Sequence, residues 1–147
     1  MSRRLKQAAV VVVVLAAAAQ FARPDWTSPT SDPSCAIGAD PGTTGALHAV
    51  LDRSCGDCHS NKTVSSSWYT NVAPLSWVMA RSVTEGRKAV NFSDWTGYPA
   101  SVQRTLLSAS CDDAMSGKMP GPYTWFRPDV KLSPEDIETI CGAARQR

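Results

Sequence analysis

Cys55, Cys58 and His59 stand in the run Cys55-Gly56-Asp57-Cys58-His59, with two thiols three residues apart and an imidazole directly after the second. Thiols so spaced can add to the two vinyl groups of one porphyrin while the adjacent imidazole reaches the iron, so this run is the attachment signature of c-type haem. The same pair of thiols can also form a surface disulfide or half of a zinc site. A zinc site needs a second ligand pair, and the remaining Cys35, Cys111, Cys141 and His48 include no close pair. No βαβ pattern surrounds the motif, which argues against a thioredoxin-like domain.

Iron held by His59 has a second axial position. Met119 lies 60 residues beyond His59, between Gly117 and Pro120, where Pro120 and Pro122 restrict the backbone and a thioether can project. Its plainer reading is an apolar loop residue. Met79 and Met115 are weaker rivals, because both sit at helical spacing among apolar neighbours, where filling a core is the usual role. His48 precedes the motif on the helix that leads into it and would have to return to the opposite haem face. Met/His ligation raises the reduction potential and leaves no open position, which suits electron transfer better than chemistry on a bound substrate.

Four helices are expected to position these residues. Ala46, Leu47, Val50 and Leu51 fall at helical spacing and bring the chain from Thr44 to Cys55. A second helix opens at Pro74, with Leu75, Val78, Met79, Ser82 and Val83 on one face and Gly86 as its weak point or end. A third runs from about Pro99 to Met115, where Val102, Leu106, Ala109 and Asp113 repeat at three and four, and Gly117 and Pro120 stop it. The fourth starts with Ser133 as cap, Pro134 in the first position and Glu135 and Asp136 in the first turn, and ends near Arg145. No stretch alternates with period two, so strands should be scarce. The class is all-α: about four short helices, too few for a large core of their own, packed around one covalently bound haem.

The N-terminus reads Met-Ser-Arg-Arg-Leu-Lys, followed by an uncharged, Val- and Ala-rich run from Gln7 to Ala22. That order is typical of an export signal, so residues 1–22 are expected to be a signal peptide or an N-terminal membrane anchor. Export favours haem at the C-x-x-C-H run, since c-type haem is attached outside the cytoplasm, where a bare dithiol would oxidise. Residues 23–44, rich in Pro, Ser, Thr, Gly and Asp, read as a tether, and residues 45–147 as the domain. The net charge of +2 includes Arg3, Arg4 and Lys6; without them 12 basic residues face 13 acidic ones, and no nucleic-acid reading follows. In an oxidising compartment Cys111 and Cys141, on the third and fourth helices, are expected to be bridged, leaving Cys35 as an odd thiol.

A longer ordered set of residues surrounds the motif. Cys55-Gly-Asp-Cys-His-Ser-Asn-Lys-Thr63, Trp68-Tyr69, Val72-Ala-Pro-Leu-Ser-Trp77, Glu85-Gly-Arg87, Asn91-Phe-Ser-Asp-Trp95, Met119-Pro120 and Leu132-Ser133 together resemble the bacterial haem-binding domain family of cytochrome c type. The resemblance covers about residues 45 to 145. It implies a monohaem, helical, cytochrome c-like domain that is exported and often membrane-associated. The sequence departs from the family at Ser66-Ser67, where an apolar pair such as Trp-Pro is usual, and at Arg127-Pro128, where His-Pro is common. The resemblance further implies that a proline carbonyl after the motif accepts the other ring N–H of the proximal histidine, and Pro74 is the matching residue. Trp95, Tyr98, Asn91 and Arg87 are candidate donors to haem propionates.

The expected function is that of an exported monohaem electron carrier with haem c held by Cys55, Cys58, His59 and Met119. It is expected in the periplasm or on the outer face of the cytoplasmic membrane, working with redox partner proteins. A membrane association through residues 7–22 remains open. The alternatives are a peroxidase-like enzyme or a gas or redox sensor with an open distal site, and an exported domain whose C-x-x-C is only a disulfide.

Overall fold

The computed structural model describes residues 2–22, 24, 28–63 and 67–147, and among these every regular element is helical. Six α-helices follow in order: α1 (Arg3–Ala19), α2 (Gly45–Ser54), α3 (Gly56–His59), α4 (Leu75–Ala89), α5 (Ala100–Met115) and α6 (Pro134–Gln146). Short 3-10 turns join them. The expected all-α class is therefore what the chain forms, with the four expected helices as α2, α4, α5 and α6.

Local chemistry sets the starts of the helices. Thr44 Oγ1 accepts from Leu47 N at 3.2 Å to open α2. Ser133 and Asp136 cap α6 reciprocally, Ser133 Oγ accepting from Asp136 N at 3.1 Å and Asp136 Oδ2 from Ser133 N at 2.8 Å. α2 presents Leu47, Val50 and Leu51 to the core at the expected spacing. Burying a leucine of this kind contributes about 1.5–3 kcal/mol. Around them stand Ile37, Val90, Phe92, Trp95, Leu107, Ala114 and Ile140.

α5 packs along α6, and the Cys111–Cys141 disulfide joins them with a Cα separation of 4.8 Å, as expected. The buried face of α5 differs from the expected one. Gln103, Leu107 and Ala114 turn inward, whereas Val102 and Ala109 are exposed and Leu106 is half-buried. The bridge at Cys111 fixes this rotation, since residues 103, 107, 111 and 114 share one side of a helix. Gln103 is satisfied there, donating to Trp95 O at 3.0 Å and accepting from Arg147. α4 is rotated likewise: it buries Ser76, Val83 and Gly86 and exposes Val78 and Ser82, and it continues past Gly86 to Ala89.

The segment expected as a tether is folded over part of its length. Arg23 and Asp25–Thr27 lie outside the described residues. Residues 33–39 form two 3-10 turns, Ile37 enters the core, and Asp40 Oδ2 accepts from Trp95 Nε1 at 2.7 Å. Arg147 reaches the same carboxylate and lies over the Trp95 ring. One apolar side chain and one carboxylate with two partners are enough to hold a polar stretch against the domain.

α1 buries none of its residues. Among the described residues no helix is long and apolar enough to cross a membrane. Its C-terminal end is nonetheless attached to the domain: Gln20 and Ala73 exchange two hydrogen bonds, Ala73 N donating to Gln20 Oε1 at 3.1 Å and Gln20 Nε2 to Ala73 O at 3.4 Å. Trp77 Nε1 donates to Ala22 O at 2.6 Å.

Candidate functional site

Cys55 closes α2, and its backbone (φ −123°, ψ −26°) turns the chain into α3. The N–H groups of Cys58 and His59 both donate to Cys55 O, at 3.2 and 3.0 Å, so a single turn carries both thiols and the imidazole. The C-x-x-C-H run is thus assembled as one rigid unit. It is wedged between α2 behind it and α4 across it, with Gly86 at the closest approach.

Burial pushes the Cys55 thiol up to about 12, with Cys58 beside it adding to the effect and Arg53 opposing it. Burial and the Asp57 carboxylate push Cys58 up to about 11, against the pull of Arg87. Both sulfurs are therefore neutral thiols at neutral pH. A dithiol redox catalyst needs the opposite, a thiol whose ionisation is made easier.

His59 is half-buried, and burial lowers its pKa; the carbonyls of Val90 and Gly86 and the Asp113 carboxylate act in the other direction. Its Nδ1 stands 3.3 Å from Val90 O. A carbonyl only accepts, so the N–H is at Nδ1 and the lone pair at Nε2, the state an imidazole needs to bind a metal. Sequence reasoning expected Pro74 to supply this carbonyl. Pro74 O instead accepts from Trp77 N and Val78 N at 3.1 and 3.3 Å in the first turn of α4. The acceptor comes from the other end of that helix.

Met119 is 42% exposed. Gly117, with φ +71°, turns the chain back after α5, a backbone shape that favours glycine. The loop then folds around Asp113: its carbonyl accepts from Met119 N at 3.2 Å and its carboxylate pairs with Lys118 at 2.9 Å. Asp113 thus holds the Met119 backbone while its charge acts on His59. Met115 ends α5 and is also exposed, Met79 is half-buried in α4, and His48 lies on the exposed side of α2 beside Gly38.

The four candidate propionate donors have protein partners. Trp95 is fully buried with its indole N–H on Asp40. Asn91 Nδ2 donates to Asn61 Oδ1 at 2.9 Å and Asp94 Oδ2 at 2.6 Å. Tyr98 OH accepts from Asn91 N at 3.1 Å. Arg87 Nε donates to Ser60 O and its Nη2 to Thr63 Oγ1, both at 2.8 Å, which staples α4 to the strand of chain leaving the motif.

A cluster that the sequence did not announce closes over Asp57, the residue between the two cysteines' Gly56 and Cys58. Tyr123 OH donates to Asp57 Oδ2 at 2.7 Å, Arg127 Nη1 donates to the same oxygen at 3.0 Å, and Tyr69 OH lies 3.2 Å from Tyr123 OH. Burial, then Asp57 and Tyr69, push the Tyr123 phenol well up; Asp129 first, with Asp57 and Tyr123, holds the Arg127 guanidinium firmly charged. The one available signal was Arg127 itself, standing where the resemblance leads one to expect histidine. Ser66 of the other departure lies outside the described residues.

Two neutral thiols one turn apart, beside an imidazole whose Nδ1 faces the Val90 carbonyl, fit the donor set for a haem whose porphyrin vinyl groups meet the sulfurs and whose iron meets the imidazole. A family model described as a haem-binding domain matches residues 13–146. No curated protein and no solved structure matches the chain.

Proposed function

Because the chain belongs to the haem-binding domain family, we propose that it is a monohaem c-type cytochrome that carries electrons, with Cys55 and Cys58 as the attachment thiols and His59 and Met119 as axial ligands. Bound haem supplies one-electron redox chemistry. The chain's part is to hold it: α3 presents both sulfurs together, Val90 O orients His59, and the Met119 loop supplies a second, soft ligand that raises the potential and closes the iron to substrates. The observation that carries the Met119 assignment is its place in the loop that turns back after α5, where Met119 N donates to Asp113 O at 3.2 Å and the side chain is left 42% exposed. The working site we assign is the periplasm or the outer face of the cytoplasmic membrane, with redox proteins as partners. Arg3, Arg4 and Lys6 in the first turn of α1, ahead of its uncharged remainder, and a disulfide between α5 and α6 support that location.

The deciding experiment uses protein produced with a haem-attachment system. Replacing both Cys55 and Cys58 with Ala removes haem that survives denaturing electrophoresis. Met119→Ala abolishes the weak far-red sulfur-to-iron band of the oxidised protein and admits carbon monoxide to the reduced protein, while Met115→Ala keeps the band. A parent protein that lacks this band and binds carbon monoxide readily overturns the Met119 assignment and makes the site an open one, as in a peroxidase-like enzyme or a gas sensor.

A further inference from the structure

The apolar side chains that the domain leaves uncovered gather where α1 is tied down. Phe21 is 92% exposed and directly follows Gln20, the residue bound to Ala73. Val72 neighbours Ala73, Trp77 holds Ala22, Val78 follows it and is 59% exposed, and Trp68, 66% exposed, stands on the short 3-10 turn Trp68–Thr70 that packs against α4. The site already described does not cover Val78. The side of α4 that meets α3 buries Ser76, Val83 and Gly86, and Val78 stands on the exposed side with Arg81 and Glu85.

Three further observations say what does cover this group. α1 buries none of its residues, and its uncharged part from Gln7 to Ala19 spans about 20 Å, short of the roughly 30 Å of a bilayer's hydrocarbon core. The collar continues the apolar surface past the helix end, where tryptophan rings favour the lipid–water boundary. Along the exposed side of α4 the order away from α1 is Val78, then Arg81, then Glu85 paired with Lys88 at 3.0 Å, a passage from apolar to cationic to neutralised polar. The family match also begins at residue 13, inside α1, so the end of this helix belongs to the shared domain.

We propose that a lipid bilayer covers this face: α1 enters the membrane, and the collar of Phe21, Trp68, Val72, Trp77 and Val78 settles into the headgroup boundary. The bonds from Gln20 and Ala22 to Ala73 and Trp77 then fix the orientation of the domain on the membrane, which a flexible tether would not do. This holds whichever group completes the iron coordination.

The test uses the full haem-loaded chain in vesicles of phosphatidylethanolamine and phosphatidylglycerol. Val72→Cys, Val78→Cys and, as control, Glu85→Cys are each made in a Cys35→Ser background and treated with a membrane-impermeant maleimide. The Val72 and Val78 positions should react about tenfold more slowly than the Glu85 position, as side chains sunk into the acyl boundary would. Equal rates at the three positions overturn the proposal. So does protection found in native membranes but not in lipid vesicles, which makes the cover a protein. A membrane-fraction protein whose mass shows that α1 has been removed overturns it as well.

Discussion

Gly86 and Cys58 approach so closely that no methyl group fits between them: a Cβ at Gly86 would lie 2.6 Å from the Cys58 carbonyl oxygen and 3.1 Å from its carbonyl carbon. This contact lets α4 lie on the turn that carries both thiols, and it brings Val90, four residues on, within reach of His59. Gly86→Ala therefore separates two effects of opposite sign. In an open helix interior the change would stabilise by about 0.8–1 kcal/mol. Against a rigid backbone neighbour, overpacking of this kind costs about 1–3 kcal/mol. Denaturant titration should find the variant less stable, with less haem incorporated; a more stable variant would mean that α4 does not press on the motif.

Removing the Cys111–Cys141 bridge should lower stability by about 3–4 kcal/mol, the loop-closure value for its separation of 30 residues. Cys111→Ala/Cys141→Ala should leave the haem spectrum nearly unchanged, because the bridge joins α5 to α6 and not to α3. Thermal unfolding followed by far-UV circular dichroism and by haem absorbance checks both statements. Peptide mapping that finds both thiols free in periplasmic material would count against the bridge.

Tyr123 and Arg127 share one oxygen of Asp57, so their contributions should not add. Tyr123→Phe and Arg127→Gln are each expected to destabilise by about 1.5–3 kcal/mol, the range for a hydrogen bond to a charged group. The double variant should fall short of, or exceed, their sum by about 0.5–3 kcal/mol. A double-mutant cycle in urea that closes additively would show that the two donors act separately.

Asp40 ties residues 33–40 to the domain and should make that attachment sensitive to acid. Burial acts to raise its pKa, but the Gly42 N–H, Arg147 and Trp95 together outweigh it and leave the carboxyl below its ordinary value. A carboxyl lowered on folding adds stability above its unfolded pKa, near about 3.9, and that stability is lost as pH falls through the folded value. Asp40→Asn should thus be less stable than the parent at neutral pH, with the difference shrinking below about pH 4. Paired denaturation curves at neutral and acid pH read this directly; a constant difference would argue against the charge.

What could be read from the sequence was local. The Ser133–Pro134–Asp136 start of α6, the Leu47–Val50–Leu51 face of α2 and the single turn carrying Cys55, Cys58 and His59 are each set by residues within one or two turns. Periodicity gave the extent of α5 and the start of α4, but not the rotation of either nor the end of α4 beyond Gly86. A glutamine at 103 gives no sign of being inward until Trp95 O and Arg147 are beside it, and Val78 gives no sign of being outward. The His59 acceptor was misplaced for a similar reason, since Pro74 and Val90 stand at opposite ends of one helix and only the tilt of α4 across α3 chooses between them. Trp95, Asn91 and Arg87 carry the right donors for propionates, yet each meets a protein acceptor supplied by a distant or irregular segment.

The partners of Asp57 come 66 and 70 residues after it. A chain made from its N-terminus therefore offers Cys55, Cys58 and His59 before Tyr123 and Arg127 exist to close over them. The two ends of this cluster are separated in time as well as along the chain. For an interval the motif is an open peptide segment, and the later segment closes over it only afterwards.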